Sequence, residues 1–218
     1  SRRKGEKIMD NYLKRKVTAI RKTSESSVSV TIEKGELKAD YRKHIATPIA
    51  FLNHMIEHIA WRAGLNIDIS LDMPDFQLIH LVCEDASMTL GKAVGEFVRV
   101  NRTSGYGFAT GIIDEAKADA VISFEDRSYL DFSSAVEYAE NVEGMPSEEL
   151  ITFLDGFVQG ARCTLHIDIQ KGANGHHIWE AVYRAFGIAL GGALAFDENR
   201  IGKTSGVAGE VIYEIKSE

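Results

Sequence analysis

Two halves of the 218-residue chain run through the same order of predicted elements: strand, strand, helix, strand and helix. Short segments also echo one another, since Phe51-Leu52-Asn53 resembles Phe153-Leu154-Asp155, and Ile-Asp-Ile occurs at both 67–69 and 167–169. We therefore predict an internally duplicated α+β fold. Its parts are a basic N-terminal extension at 1–16, a first repeat half at 17–103, a second repeat half at 104–196 and a C-terminal tail at 197–218.

Alternating and helical spacings of apolar residues predict the individual elements. In the first half, a strand at 28–32 turns into a partner at 37–41, and Pro48 opens a helix that ends near Gly64. In the second half, a strand pair and a helix capped by Pro146 and Ser147 are expected. The strand pair is 120–124 with 129–132. The first half should also contain a strand at 65–69 and a helix carrying His80, and 106–108 should join the halves. The second half should also contain a strand at 164–169 and a last helix from His176.

The composition narrows the class of protein. A hydrophobic fraction of 44% with 26% charged residues is ordinary for a globular chain with a real core. The formal net charge of −7 argues against nucleic-acid binding, so we interpret the basic first 22 residues as a solvated terminus. No apolar run reaches the roughly 18 residues of a membrane-spanning helix, and we expect a cytoplasmic protein. Cys83 and Cys163 lie in apolar patterns that predict buried, reduced thiols, although Cys83 could approach a metal.

Histidine and glutamate residues recur at helical spacing in both halves. Gly175-His176-His177-Ile178-Trp179-Glu180 opens the last predicted helix, where residues three and four apart share a face and both imidazoles project near Glu180. His80 and Glu84 repeat this spacing in the first half. Imidazole with carboxylate is a donor set for transition metals, so the pattern predicts metal binding. The alternative is that paired histidines at a helix start are ordinary exposed polar residues.

A different histidine pattern lies in the helix that Pro48 opens. His54-Met55-Ile56-Glu57-His58 matches the H-x-x-E-H motif of inverted zinc peptidases, which gives a weak hypothesis of a zinc hydrolase using His54, Glu57 and His58. Because such short patterns arise easily by chance, we interpret His54 as a lone ligand and His58 as helix surface. His44 and His166 have no cluster of ligand-type neighbours in sequence, and we interpret both as structural.

In this order the motifs resemble those of the imidazoleglycerol-phosphate dehydratase family, from about Val17 to Gly209. The segments that look like family motifs are Arg21-Lys22-Thr23-Ser24-Glu25-Ser26 (R-K-T-x-E-T), Phe51-Leu52-Asn53-His54-Met55 (F-L-D-H-M), His80-Leu81-Val82-Cys83-Glu84-Asp85 (H-H-T-V-E-D), Ile113-Asp114-Glu115-Ala116 (M-D-E-A), Asp126-Arg127-Ser128-Tyr129 (G-R-P-Y), Thr164-Leu165-His166-Ile167 (T-L-H-I) and Asn174-Gly175-His176-His177-Ile178-Trp179-Glu180-Ala181 (N-x-H-H-I-I-E-A).

The resemblance implies a duplicated α+β fold of the ribosomal protein S5 domain 2-like type and a homo-oligomer in which trimers build a 24-subunit particle as manganese is bound between subunits. It implies one or two Mn²⁺ ions per subunit and a small phosphorylated imidazole substrate, imidazoleglycerol phosphate, which is dehydrated to imidazole acetol phosphate in histidine biosynthesis. Proton transfer falls to Glu25 and Glu180, and substrate contacts fall to Glu25, Arg62, Arg127 and Arg184. The metal positions are His54, His80, Glu84, His176, His177 and Glu180.

Several positions depart from the family pattern. Leu81 and Thr152 stand where the family has ligand histidines, and neither side chain replaces an imidazole as a nitrogen donor. Gly105 stands where the family has an arginine, and Asn53 replaces the aspartate beside His54. The leading hypothesis is a divergent metal-dependent dehydratase. The alternative is a non-catalytic or repurposed paralogue that keeps the oligomeric fold with reduced metal binding.

Overall fold

The computed structural model describes residues 14–75, 77–200, 205–209 and 211–216, so most of the predicted N-terminal extension lies outside it. The strands are β1 (Lys16–Lys22), β2 (Ser27–Lys34), β3 (Leu65–Asp72), β4 (Tyr106–Ile113), β5 (Ala116–Ser123), β6 (Tyr129–Ser134), β7 (Asn141–Val142), β8 (Met145–Pro146) and β9 (Thr164–Lys171). The α-helices are α1 (Ala50–Ala63), α2 (Ile79–Val100), α3 (Ser147–Ala161) and α4 (Gly175–Ala193), and 3₁₀ helices cover Tyr41–His44 and Glu198–Arg200. No described helix combines the length and the apolar character that a membrane crossing needs.

The first sheet has the strand order β1-β2-β3 and is antiparallel throughout. Its hairpin joins β1 to β2 through a turn in which Thr23 Oγ1 accepts hydrogen bonds from two backbone N–H groups. The prediction that β2 turns into a strand at 37–41 is wrong. The Asn66 side chain there bonds the carbonyl before Leu37 and the N–H after it, so these backbone groups need no strand partner.

The second sheet has the order β4-β5-β9-β6, with β6 parallel to β9 and the other pairs antiparallel. The predicted pairing of 120–124 with 129–132 is wrong because β9 lies between β5 and β6. The chain passes from β6 to β9 by way of α3, as parallel neighbours require a long crossover. The predicted join at 106–108 is also wrong, since these residues begin β4. Gly107 fits this strand against α4, where an added Cβ would collide with the carbonyl oxygen of Ala189.

The α-helices pack as two parallel pairs, α1 with α4 and α2 with α3. Helix α2 lies on β1 and β2 of the first sheet, and α4 lies on β4 and β5 of the second. One cluster of buried apolar side chains runs through both halves, with Trp179, Phe97 and Phe157 among its largest members. Burial of this apolar surface is the main favourable term in folding. The parallel pairing places the N-terminal turns of each pair side by side, and the predicted metal residues lie there.

Local signals in the sequence succeed for some features and fail for others. The predicted end of α1 is confirmed, since Gly64 has a φ of 63° and follows the last helical residue. Helix α3 begins at Ser147, but Ser147 does not cap it; its hydroxyl donates to the carbonyl of Ala139 and accepts from Trp179 Nε1 at 3.1 Å. The prediction that both cysteines are buried is confirmed, and burial raises the pKa of Cys163 to about 12.

Candidate metal centre

Helices α1 and α4 bring two histidines and a glutamate together. His54 and His58 lie four residues apart on α1, so their side chains share one face of the helix. The His54 Nε2 atom is 3.6 Å from Glu180 Oε2, and the His58 Nε2 atom is 3.3 Å from Glu180 Oε1. Among the described residues, this is the only group of three or more histidines, cysteines or acids with ligand atoms all within 4.8 Å of one another.

His176 adds a third imidazole at the edge of this group. Its Nε2 atom is 3.3 Å from Glu180 Oε2, and its ring centroid is 5.4 Å from that of His54. Asn174 fixes the start of α4, because its side chain accepts a hydrogen bond from the His176 backbone N–H. The His176 Nδ1 atom is 3.0 Å from a Glu143 oxygen, an arrangement that orients the ring as carboxylates orient metal-binding histidines. We call His54, His58, His176 and Glu180 the α1–α4 cluster.

The charge states of Glu180 and His58 in the α1–α4 cluster suit the binding of a cation. Glu180 is 5% exposed, and Arg184 donates to its Oε1. Burial alone would raise the pKa of Glu180, but His58, Arg184 and His54 favour its negative charge and bring the pKa below its ordinary value. Burial is also the main cause that lowers the pKa of His58 to about 4. At neutral pH Glu180 is therefore a carboxylate and His58 a neutral imidazole, the forms in which both groups bind metals.

His177 contacts a different set of carboxylates from its neighbour His176. Its Nδ1 atom is 2.9 Å from Glu115 Oε2, and its Nε2 atom is 3.9 Å from Asp114. The hydrogen bond to Glu115 raises the pKa of His177. The pKa of Glu115 falls to about 2, first because the Asn174 N–H donates to it and then because His177 does. This pair holds the loop after β4 against the start of α4.

Helices α2 and α3 carry a poorer set of donors at their own N-terminal ends. His80 Nδ1 is 3.0 Å from a Glu149 oxygen on α3, and the His80 side chain is 61% exposed. Glu84 follows one turn later on α2 and is partly buried. Leu81 and Thr152, the two departures from the family ligand pattern, lie on these same helices, and the Thr152 hydroxyl donates to the carbonyl of Glu148.

The ends of the helices show which residues correspond between the two pairs. Gly64 and Arg162 follow α1 and α3, and both have left-handed backbone conformations. The separation in sequence from Gly64 to Arg162 equals the separation from His54 to Thr152. Thr152 therefore occupies on α3 the place that His54 occupies on α1. The earlier match of Phe51 with Phe153 is about one helical turn out of register with this correspondence. Both lost imidazoles fall on the α2–α3 pair, and the α1–α4 pair keeps its own.

The four predicted substrate residues lie on different elements, and three of them are exposed. Glu25 lies exposed in the β1–β2 turn, Arg62 lies exposed near the end of α1, and Arg127 lies exposed just before β6. Arg184 is partly buried; besides Glu180 it contacts β4, where its Nη1 donates to the carbonyl of Ile112 at 2.8 Å. Arg184 thus connects the α1–α4 cluster to the second sheet.

Asp85 supports the site and was not identified from the sequence. It is completely buried, forms an ion pair with Arg21 at 2.6 Å, and accepts a hydrogen bond from the Ser26 hydroxyl. These two partners flank the turn that carries Glu25, so Asp85 holds both sides of that turn. The residue lies directly after Glu84, but its burial arises from the packing of α2 on the first sheet, which the motif alone does not reveal.

The interpretation of His58 as helix surface is wrong. Its side chain is only 13% exposed, because α4 packs over this face of α1. The zinc-hydrolase hypothesis correctly groups His54 with His58. The carboxylate of its motif, Glu57, pairs through Oε1 with Arg42 at 2.5 Å and accepts there from the Tyr41 hydroxyl, while its Oε2 lies 3.6 Å from His54 Nδ1. The four-residue spacing of the two histidines was the available signal. His44 and His166 contact Asp68 and Asp131 respectively, outside the α1–α4 cluster.

The fold and the α1–α4 cluster define an α+β protein with a histidine–carboxylate candidate metal centre. Residues 47–190 match the family model described as imidazoleglycerol-phosphate dehydratase. A curated imidazoleglycerol-phosphate dehydratase of Burkholderia pseudomallei (strain 1710b) is 36% identical over 197 residues, which cover 88% of this chain and 97% of that protein. The chain belongs to the imidazoleglycerol-phosphate dehydratase family, whose members are lyases of histidine biosynthesis.

Solved structures agree with this assignment. The imidazoleglycerol-phosphate dehydratase of Staphylococcus aureus subsp. aureus N315 superposes with a TM-score of 0.72 at 30% sequence identity, covering 84% of this chain and 99% of that one. The Pyrococcus furiosus enzyme in complex with (S)-C348 gives a TM-score of 0.71 at 28% identity, covering 88% of this chain and 99% of that one. The predicted family and the predicted α+β fold class are confirmed.

Proposed function

We propose that the protein is a divalent-metal-dependent dehydratase that converts imidazoleglycerol phosphate to imidazole acetol phosphate. Family membership supports the reaction class, and the α1–α4 cluster is the single observation that carries the metal-dependent form of the proposal. We further propose Mn²⁺ as the cofactor, a cytoplasmic location and a homo-oligomer. The oligomer is proposed because the family ligand positions are divided between two helix pairs, and the His80 side chain on the α2–α3 pair is 61% exposed.

The residues of the α1–α4 cluster fit a divalent cation. The His58 Nε2 atom is buried without a hydrogen-bond partner, although it lies 3.3 Å from Glu180 Oε1. Imidazole nitrogens and a carboxylate are suitable donors for first-row divalent metals. His54, His176 and Glu180 would hold the ion, which when bound supplies Lewis-acid stabilisation of negative charge on the substrate imidazole.

The chain's own residues then supply binding and proton transfer. Glu180 is a carboxylate at neutral pH, the form that can accept a proton, and its neighbours His58, Arg184 and His54 favour this charged form. Glu25 is the second proton-transfer group, on a turn held by buried Asp85. Arg127 has a free surface position before β6, where a guanidinium can bind the phosphate end of the substrate through two parallel hydrogen bonds.

A second candidate function has one specific observation in its favour. Leu81 and Thr152 both lie on the α2–α3 pair, so the loss of imidazoles is concentrated on one side of the molecule. A paralogue that keeps the oligomeric fold and one metal, without dehydratase activity, would show this pattern. The two functions differ in the expected number of ions per subunit and in turnover.

The decisive experiment measures turnover, metal content and mass on one purified sample. We expect Mn²⁺-dependent formation of imidazole acetol phosphate from imidazoleglycerol phosphate, and we expect Glu180→Gln to abolish it. His44→Gln is the control, because His44 contacts Asp40 and Asp68 and is not part of the α1–α4 cluster. Absence of turnover with every divalent metal tested, together with one ion or none per subunit, would instead establish the non-catalytic paralogue.

A further inference from the structure

His58 is a nitrogen donor directed into the α1–α4 cluster without a satisfied partner. Its Nε2 atom is buried, and although it approaches Glu180 Oε1 to 3.3 Å, the contact does not have hydrogen-bond geometry. Its ring centroid is 4.7 Å from that of His54, one helical turn earlier. Two histidines four residues apart on one helix face form a recurrent metal-binding pair in proteins. His58 lies on none of the positions that the family resemblance assigns to metal.

The backbone holds His58 firmly in this place. Helix α4 lies close to the α1 backbone at Gly187, where an added Cβ would lie 2.9 Å from the His58 carbonyl oxygen and 3.0 Å from Ile59 Cα. The His58 side chain is 13% exposed, so it lies within the contact between α1 and α4 in the folded protein. A ligand fixed in this way binds a cation with less ordering than an exposed histidine would require.

We propose that His58 is an additional metal ligand, and that His54, His58 and Glu180 contribute donors to one divalent-cation site, with His176 as the fourth donor from this chain. This inference rests on the proposed function only in that the cluster holds a cation. The site uses a donor that the family pattern does not include, on the helix pair that has kept its other imidazoles.

The dimensions and the donor types indicate the class of cation. Metal–nitrogen and metal–oxygen bonds of about 2.0–2.2 Å place the donors of one ion no more than about 4.3 Å apart. The ligand atoms of His54, His58 and Glu180 lie within 4.8 Å of one another, so side-chain adjustments of about 0.5 Å suffice. Oε1 of Glu180 faces His58 and also accepts from Arg184, whereas Oε2 faces His54 and His176. Three imidazoles with one carboxylate suit Zn²⁺ or Co²⁺ better than an all-oxygen site would.

The test is metal binding by the intact, chelator-stripped oligomer, measured by calorimetry with Zn²⁺ alone and Mn²⁺ alone. We expect His58→Gln to weaken Zn²⁺ binding at least about tenfold, since losing a ligand should cost no less than losing a residue that merely orients one. His44→Gln is the matched control, and His58→Phe is a second variant that fills the same space without a donor. The visible spectrum of bound Co²⁺ should also change in both His58 variants, which a structural role alone would not cause.

The outcomes separate this inference from the proposed function. If both His58 variants bind Zn²⁺ as tightly as the His44→Gln control and give the same Co²⁺ spectrum, His58 is not a ligand, while metal-dependent dehydration stands. If the unaltered protein binds neither ion, the inference and the metal-dependent form of the proposed function both fail. If both variants fail to fold, a crystal structure of the unaltered protein with one Zn²⁺ per subunit decides: a bond from His58 Nε2 to the ion supports the inference, and its absence overturns it.

Discussion

Gly187 sets the distance between the two helices that form the α1–α4 cluster. An alanine Cβ at this position would lie 2.9 Å from Arg62 Cβ, 2.9 Å from the His58 carbonyl oxygen and 3.0 Å from Ile59 Cα. Two of these three neighbours are backbone atoms, so the contact cannot be relieved by a change of side-chain rotamer. Gly187→Ala therefore requires α1 to move away from α4 next to His58.

Gly192 on the same helix provides a matched control. The only atom within 4 Å of an alanine Cβ there is Gly107 Cα at 3.6 Å, an ordinary van der Waals contact. Both substitutions gain about 1 kcal/mol of helix propensity. Only Gly187→Ala also introduces overpacking, which costs about 1–3 kcal/mol. We therefore expect Gly187→Ala to be about 1–3 kcal/mol less stable than Gly192→Ala.

Thermal unfolding of the two variants checks this difference. One kcal/mol corresponds to roughly 2–4 °C in melting temperature for a chain of this size, so Gly187→Ala should melt roughly 2–12 °C below Gly192→Ala. Both samples must be metal-free and at equal protomer concentration, because ligands and assembly shift melting temperatures. Zn²⁺ affinity should fall in Gly187→Ala and stay unchanged in Gly192→Ala. If Gly187→Ala melts as high as Gly192→Ala, the helices are not in the close contact described.

Two further predictions concern the groups around the site. Asp85→Asn should destabilise the protein by about 2–3 kcal/mol, less than the full effect of breaking a buried ion pair because the Arg21 side chain is 31% exposed. Ser26→Ala removes only the hydrogen bond to Asp85 and keeps the ion pair, so equal melting temperatures of the two variants would contradict this prediction. Glu115→Gln should lower the pKa of His177 toward its ordinary value, since the Glu115 hydrogen bond raises it. The raised pKa means that this contact stabilises the fold fully below the unfolded-state pKa of His177 and ceases to do so as the pH rises through the folded-state value. The pH dependence of His177 modification by diethyl pyrocarbonate in metal-free protein, mapped by mass spectrometry, measures the pKa, and identical profiles would refute the assignment.

Helix positions were predictable because their signals are local. Pro48 precedes α1, Gly64 ends it, and the apolar spacing between them marks its buried face. Strand pairing was not predictable in the same way. Whether β6 pairs with β5 or β9 depends on the path of α3 across the sheet, and no short-range pattern at 125–127 distinguishes a hairpin from the start of a crossover.

The candidate site was only partly predictable for a related reason. His54, His176 and Glu180 belong to motifs, and the structure brings them together. His58 has the same four-residue spacing from His54 as His176 has from Glu180, but its burial depends on where α4 crosses α1. That crossing depends on Gly187, more than 120 positions away along the chain. A sequence pattern can place two residues on one helix face, but it does not identify the helix that covers this face.

The unequal donor sets of the two helix pairs have a consequence for assembly. On the α2–α3 pair, Glu149 holds His80 Nδ1 at 3.0 Å and leaves the other ring nitrogen on a side chain that is 61% exposed. Among the described residues no group of three close donors lies on the α2–α3 pair, so we propose that an ion there takes ligands from another copy of the chain. The α1–α4 cluster has four candidate ligands of its own, His54, His58, His176 and Glu180. Metal at the α2–α3 pair should therefore depend on assembly more strongly than metal at the α1–α4 cluster.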